Sequence, residues 1–369
     1  MLATARAVVS SRCSPVPYPT FRSKAHMDSP PKTLASCTFP RSSSLSSPIQ
    51  VEREGNGGDS SSMITLQEWQ GWGTASPFPA MVAEIVEELR GLERDMDGQM
   101  SFGGLGGKIK GDFKVHEDKK HRAKYQALGD SEKKMQFFSA RQIACRLLGS
   151  RYYLCQKCWL ALEDCMCTKV MPFSLCHGIR FWLYMHPKDF LRQNNTGKLL
   201  WQVFGVQSAT LCIYGIAEHE EIMWNAFKLA VQQDGNFHVD SAQTNEEKPL
   251  NFVLLDGTWN NSAAMFRRLK DKANEVWGEE LPCISLATGA SAMHKLRPQP
   301  SWDRTCTAAA AVGLLDELHS LQELSTLGFD KQAEALEDAL GALLDALTAR
   351  RLRMGRSITR RERHNRDIC

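Results

Sequence analysis

The sequence predicts an α/β protein, a mainly parallel sheet with helices on both faces, carrying a four-cysteine knuckle at its start. Three observations predict it. From residue 179 onward short β-favouring runs alternate with helical patterns, the rhythm that builds parallel sheets with crossover helices. One run, Phe252 to Leu255, stops at Asp256-Gly257-Thr258-Trp259. A helical pattern follows at once, with Ala263, Phe266, Leu269, Ala273 and Val276 at spacings of three and four. Four thiols crowd between Cys155 and Cys167.

The 369 residues suffice for one or two domains with a full core. A net charge of +3 says little about partners. No run is long and apolar enough to span a bilayer, so no membrane partner is expected. The placement of the twelve cysteines argues against a disulfide framework and for metal binding in a reducing compartment.

Residues 1–62 have a different composition. They are rich in Ser and Pro, and Arg6, Arg12, Arg22, Lys24, Lys32 and Arg41 face one acid, Asp28, before Glu52. This fits a transit peptide addressed to a plastid or mitochondrion. It fits equally a disordered tail on a cytoplasmic or nuclear protein, with Met27 as an alternative start.

Residues 63–150 read as a helical extension. Val82, Ile85, Val86, Leu89 and Leu92 mark an amphipathic helix over Met81 to Met96, and a second helix covers Ser131 to Leu148. Between them, FGGLGGKIKG fits neither phosphate-loop spacing and reads as a flexible linker. Lys119, Lys120, His121, Arg122 and Lys124 read as a solvated basic face, with nucleic-acid contact as the lesser alternative.

The core domain is expected over 151–325, with its knuckle at 155–167. Cys155-x-x-Cys158, then Cys165-x-Cys167, can wrap a tetrahedral zinc and leave no open position, which makes the site structural. A redox Cys-x-x-Cys is the alternative, disfavoured by the second pair. Strands follow at Ile179 to Met185, Ala209 to Ile216, Phe252 to Leu255 and Leu281 to Leu286. Helices follow at Lys198 to Phe204, Glu218 to Gln232 and Ala308 to Leu324.

Asp256 falls at the carboxyl end of a strand, where open α/β sheets bind ligands, and the helix start behind it offers backbone N–H groups to an anion. The plain alternative for Asp256 and Thr258 is a turn and a cap. Asn195-Thr196-Gly197 is a polar turn at another helix start, whose plain alternative is also a cap. Residues 326–369 form a helix with Ala333, Leu336, Leu340, Leu343, Leu344 and Leu347 on its apolar face. A tail follows with eight arginines from Arg350 to Arg366, which suits a phosphate backbone.

The knuckle, HPKDFLRQNNTGKLL, LLDGTWNNSAAMF and LRPQP occur in one order. That ordered set, over Tyr152 to Leu324, resembles the DTW-domain family, named for the residues here at Asp256, Thr258 and Trp259. The chain is most similar to its tRNA-uridine aminocarboxypropyltransferases. The resemblance implies transfer of the 3-amino-3-carboxypropyl group of S-adenosylmethionine to N3 of a tRNA uridine, releasing methylthioadenosine. It also implies a SPOUT-like sheet with a knotted cofactor site. In this reading Asp256 takes the N3 proton, Thr258 orients it or touches S-adenosylmethionine, and Trp259 stacks on adenine or uracil, with ordinary core packing as its plain alternative. Arg192, Asn195, Thr196, Gly197 and Gly257 contact S-adenosylmethionine, and structural zinc sits on Cys155, Cys158, Cys165 and Cys167. The partner is tRNA. The alternatives are modification of rRNA, methyl transfer to RNA, and a non-catalytic zinc-containing RNA-binding protein. One departure stands out: where the family has Thr, an apolar residue and Glu, this chain reads Thr307-Ala308-Ala309.

Overall fold

A computed structural model describes residues 7–9, 64–103, 108–151, 153–175, 178–232, 250–284, 286, 305–322 and 324–356. Its sheet has five strands: β1 (Ala7–Val9), β2 (Ile179–Met185), β3 (Ala209–Ile213), β4 (Leu250–Asp256) and β5 (Cys283–Ile284). Their order is β3-β2-β4-β1-β5, and every pairing is parallel. The expected parallel α/β class is therefore present. A knot remains only an implication of the resemblance.

β2, β3, β4 and β5 sit where β-favouring runs were read. The two edges differ from expectation: β3 ends at Ile213, and β5 is only two residues long. β2 and β4 are buried along almost their whole length because each faces helices on two sides. Phe181, Leu183 and Met185 enter one apolar cluster, Trp182 and Tyr184 the other, as the period of two requires. The first cluster is closed by α5 (Leu199–Phe204), α8 (Thr307–His319) and α9 (Phe329–Arg353). The second is closed by α6 (Ala217–Gln232) and α7 (Trp259–Trp277).

β1 is the difference from the sequence reading, which left residues 1–62 out of the fold. Ala7, Val8 and Val9 pair with Phe252 to Leu254 on one side, and Val8 and Val9 pair with β5 on the other. A three-residue β-favouring run is too short to stand out in a basic, Ser-rich segment. The rest of that segment lies outside the described residues.

The extension contributes α1 (Leu66–Gly71), α2 (Ala80–Asp95), α3 (Gly111–Ala127) and α4 (Ser131–Ser150). α1 and α3 were not foreseen. α3 buries only Glu117, so it carries almost no apolar stripe to read. The glycine run, expected as a linker, is flanked by a small antiparallel hairpin: Phe102 bridges Ile109, and Gly103 N–H donates to the Lys108 carbonyl at 2.8 Å. Residues 104–107 between them lie outside the described residues.

Candidate active site and metal centre

β2, β3 and β4 deliver His186, Tyr214 and Asp256 to one end of the sheet, their carboxyl ends. Asp256 is buried there. The His186 N–H donates to its backbone carbonyl at 2.8 Å, which ties the ends of β2 and β4. The Asn195 side-chain amide donates to Asp256 Oδ2 at 2.7 Å, and Asn195 Oδ1 accepts from the Lys198 N–H at 3.1 Å. Asn195 thus caps the turn into α5 with one end and holds the acid with the other.

Gly197 explains why the turn comes so close. A Cβ at this position would collide with Asp256 Oδ2 and would lie 2.8 Å from both methyls of Leu183. Only glycine lets the backbone lie against the carboxylate. Thr196, also buried, accepts from the Ala308 N–H at 3.3 Å, which docks the start of α8 on the same turn. Ala309 stands in the first turn of α8, one residue after this bond.

Gly257 packs against Met265 and His186, with room for a Cβ only at 3.2 and 3.4 Å. Thr258 is the N-cap of α7. Its carbonyl accepts from Asn261 and Ser262, and its side chain makes no cap bond. Trp259 opens α7, but its side chain lies outside the described residues, as does LRPQP at 296–300. Arg192 is half exposed and donates to Asp189 Oδ1. It is an ion-pair partner of a buried acid rather than an open anion receptor. Asp189 itself keeps a buried second oxygen with no bond among the described residues. Of the site residues read from sequence, Asp256, Asn195, Thr196 and Gly197 are brought together, with Gly257 and Thr258 directly following the acid.

His186 accepts from the Lys188 N–H through Nδ1 at 3.2 Å and stacks on Tyr214. Burial lowers its pKa to about 4, so at neutral pH it is uncharged. Below Tyr214, the Tyr184 hydroxyl donates to Glu220 at 2.5 Å, and Arg268 bridges Glu220 to Glu132 of α4 at 2.6 to 3.0 Å. The sequence reading missed this network. Its members are 36 to 136 residues apart, so no local spacing marks them.

The four cysteines meet as expected. Leu154 bridges Ala161, the Cys155 N–H donates to the Leu160 carbonyl at 2.8 Å, and Trp159 turns the hairpin with a φ of 56°. Cys155 and Cys167 sulfurs lie 3.5 Å apart, Cys158 and Cys165 3.8 Å, and all four within 4.8 Å of one another. A tetrahedron with zinc–sulfur bonds of about 2.3 Å has edges of roughly 3.8 Å, so the group could hold a metal ion such as zinc. The Cys155 thiol is held below its ordinary pKa by hydrogen bonds from Cys158 and Cys167.

Lys198 joins the two sites, and sequence gave no sign of it. It is fully buried, and its ammonium donates to the Gln193 carbonyl at 2.6 Å. Burial pushes its pKa down to about 7, against the pull of Cys158, Cys155 and Cys167. Trp159 of the knuckle packs on Phe190 and Trp201 with ring centroids 5.4 and 5.3 Å away. The knuckle therefore supports the loop that carries Asn195. The arginine tail supports the knuckle in turn: Arg353 reaches Asp164 at 2.6 Å and Arg350 reaches it at 3.5 Å. Two of the arginines read as phosphate contacts are thus spent on internal ion pairs. Residues 357–369 lie outside the described residues.

The DTW domain family model matches residues 152–352, more than half of the chain. No solved structure matches it. No helix among the described residues is long and apolar enough to cross a membrane.

Proposed function

Because the chain belongs to the DTW-domain family, the domain of tRNA-uridine aminocarboxypropyltransferases, we propose that it transfers the 3-amino-3-carboxypropyl group of S-adenosylmethionine to N3 of a tRNA uridine. The observation that carries the reading is Asp256. It is a buried carboxylate at the carboxyl end of a parallel strand, held by Asn195 and followed at once by a helix start.

N3 of uridine carries a proton and is a poor nucleophile until that proton is removed. A carboxylate within hydrogen-bond reach can take it. Asp256 does so in this proposal, with Asn195 holding one of its oxygens in place. His186 is a weaker candidate, because its Nδ1 already accepts the Lys188 N–H. When bound, S-adenosylmethionine supplies the electrophilic chain and leaves as methylthioadenosine.

The residues present fit that molecule's amino-acid end. The first turn of α7, directly after Asp256, offers backbone N–H groups, the donors a carboxylate needs. The orphaned buried oxygen of Asp189 is an acceptor of the kind an ammonium needs. Arg192 then acts by holding Asp189. Thr258 borders the acid and Trp259 follows as a stacking surface. Choosing the propyl carbon over the methyl is a matter of aim, which a rigid turn packed on Gly197 can supply. The knuckle binds zinc and bears no chemistry, since four thiolates leave no open position.

Incubating the full chain with S-adenosylmethionine and tRNA, then analysing nucleosides by mass spectrometry, tests the proposal. Aminocarboxypropyl-uridine and methylthioadenosine are expected. Methylated nucleoside with S-adenosylhomocysteine would replace this reading by methyl transfer. Product on rRNA alone would replace the substrate, and RNA binding without turnover would remove the enzyme. The address of residues 1–62 is proposed as organellar, and a fluorescent fusion of that segment that stays cytosolic rejects it.

A further inference from the structure

The extension before residue 152 lies outside the family-matched region, yet it reaches the rim of the site. α4 is the connection. The Lys188 ammonium, two residues after His186, lies 5.3 Å from the Phe138 ring centroid. One turn back along α4, Lys134 lies 5.7 Å from the ring centroid of Tyr125 on α3. Tyr125 in turn stacks on His121 with the rings 17° from parallel. Two cation–ring contacts, Lys134 on Tyr125 and Lys188 on Phe138, thus lie one helical turn apart along α4, and the second is two residues from His186, whose N–H is bonded to the Asp256 carbonyl.

The charges around these contacts are sorted by sign. The acids of α3 and α4 are mostly engaged internally. Glu117 and Asp118 pair with Arg141, Glu132 pairs with Arg268, and Asp130 caps α4 through the N–H groups of Glu132 and Lys133. Asp112 alone stays outside these bonds. Lys124 is neutralised by Glu84 and Glu88 of α2. Lys114, Lys119, Lys120, Arg122 and Lys133 are exposed, and with Lys134 and Lys188 they make no ion pair among the described residues. A helix that buries a single glutamate gains little from its own packing. Its outward face is left cationic, with an exposed ring at its end.

We propose that this α3–α4 face is an RNA-binding track that holds the substrate strand and leads it to Asp256. Lysines and Arg122 take phosphates, and Tyr125 stacks on an unpaired base or ribose. Interleaved cations and rings are the chemistry that holds single-stranded nucleic acid, since phosphates and base faces recur together along it. The inference rests on the proposed RNA substrate and adds where that RNA lies.

The test uses the full chain and tRNA, with binding followed by fluorescence anisotropy over a salt series. The variants are Lys119→Gln/Lys120→Gln/Arg122→Gln together and, separately, Tyr125→Ala. None of these residues touches the core of the sheet, and a melting curve checks each variant. The triple variant should bind about tenfold or more weakly. Its logarithmic salt slope should fall by roughly two units, at ~0.7–0.9 for each phosphate no longer neutralised. Tyr125→Ala should weaken binding by about five- to a hundredfold with the slope kept, since stacking is not a salt effect. Transfer measured over a tRNA concentration series should keep kcat and raise KM for tRNA. Folded variants that bind and titrate with salt like the parent overturn the track while leaving the transferase reading intact. A parent chain that binds no RNA overturns both.

Discussion

The side-chain amide of Asn195 donates to Asp256 Oδ2 at 2.7 Å across 61 residues of sequence. That bond joins the two polar turns the sequence displays separately. It makes one site of the HPKDFLRQNNTG loop and the Asp-Gly-Thr turn. It also states what each turn is for. Asn195 orients the acid, and Gly197 lets the loop come near enough to do so.

Asp256→Asn keeps size and much of the hydrogen bonding but removes basicity. Turnover should fall by about two to four orders of magnitude if Asp256 takes the N3 proton. Melting temperature and affinity for S-adenosylmethionine should change little. Single-turnover transfer with both substrates saturating is the measurement. A near-normal rate would leave Asp256 as a brace for the turn.

Gly197→Ala places a methyl against Asp256 Oδ2 and both Leu183 methyls. The loop and the strand must separate, at a cost of about 1–3 kcal/mol of stability. Activity should fall further than stability alone explains, because Asn195 leaves Asp256. Denaturant unfolding and transfer rate, measured on the same sample, separate the two effects. Parent-like values for both would mean that the turn has slack the packing does not show.

The cysteine group should bind one zinc, and Cys158→Ser should lower stability sharply, since metal binding and folding are coupled. Folded, reduced protein without metal would end this expectation. Lys198 sharpens it. Four thiolates about one divalent ion carry a net charge of about −2, and a buried ammonium lies in their field. Lys198→Met keeps the bulk and removes the charge. Zinc should then pass to a competing chelator at least about tenfold more readily, with the thiols unchanged. Equal retention would make Lys198 a packing residue only.

His219 gives a pH dependence with a definite sign. It is fully buried, its Nδ1 accepts from the Ile213 N–H at 3.0 Å, and burial lowers its pKa to about 3. Unfolded, it titrates near about 6.5. Between those values the unfolded chain holds the extra proton, so stability falls as pH falls from about 6.5 toward 3. At pH 5 the cost is about 2 kcal/mol. His219→Gln, which cannot protonate, should show a shallower loss of melting temperature between pH 7 and pH 5. Parallel curves would assign the acid sensitivity elsewhere, for instance to thiolate protonation in the knuckle.

By itself the sequence determined the α/β class, the order of the main strands and helices, and the four-thiol group. Each is written locally: an unbroken apolar run at Phe181 to Met185, spacings of three and four along α7, and close cysteine pairs. It also marked Asp256, because a strand that ends in Asp-Gly-Thr before a helical pattern is a local signal. Only the tertiary structure decided the rest. A strand as short as Ala7–Val9 has too few residues to show a period, and it is recognised by its partners in β4 and β5. α3 lacks an apolar stripe because most of its surface faces outward. Arg192, Arg350 and Arg353 read as open cations, since charge is visible in sequence and a distant counter-ion is not. The structure ties them to Asp189 and Asp164. Lys198 is the clearest case. It is fully buried within reach of the cysteine group's charge, and burial belongs to the folded chain rather than to any stretch of it.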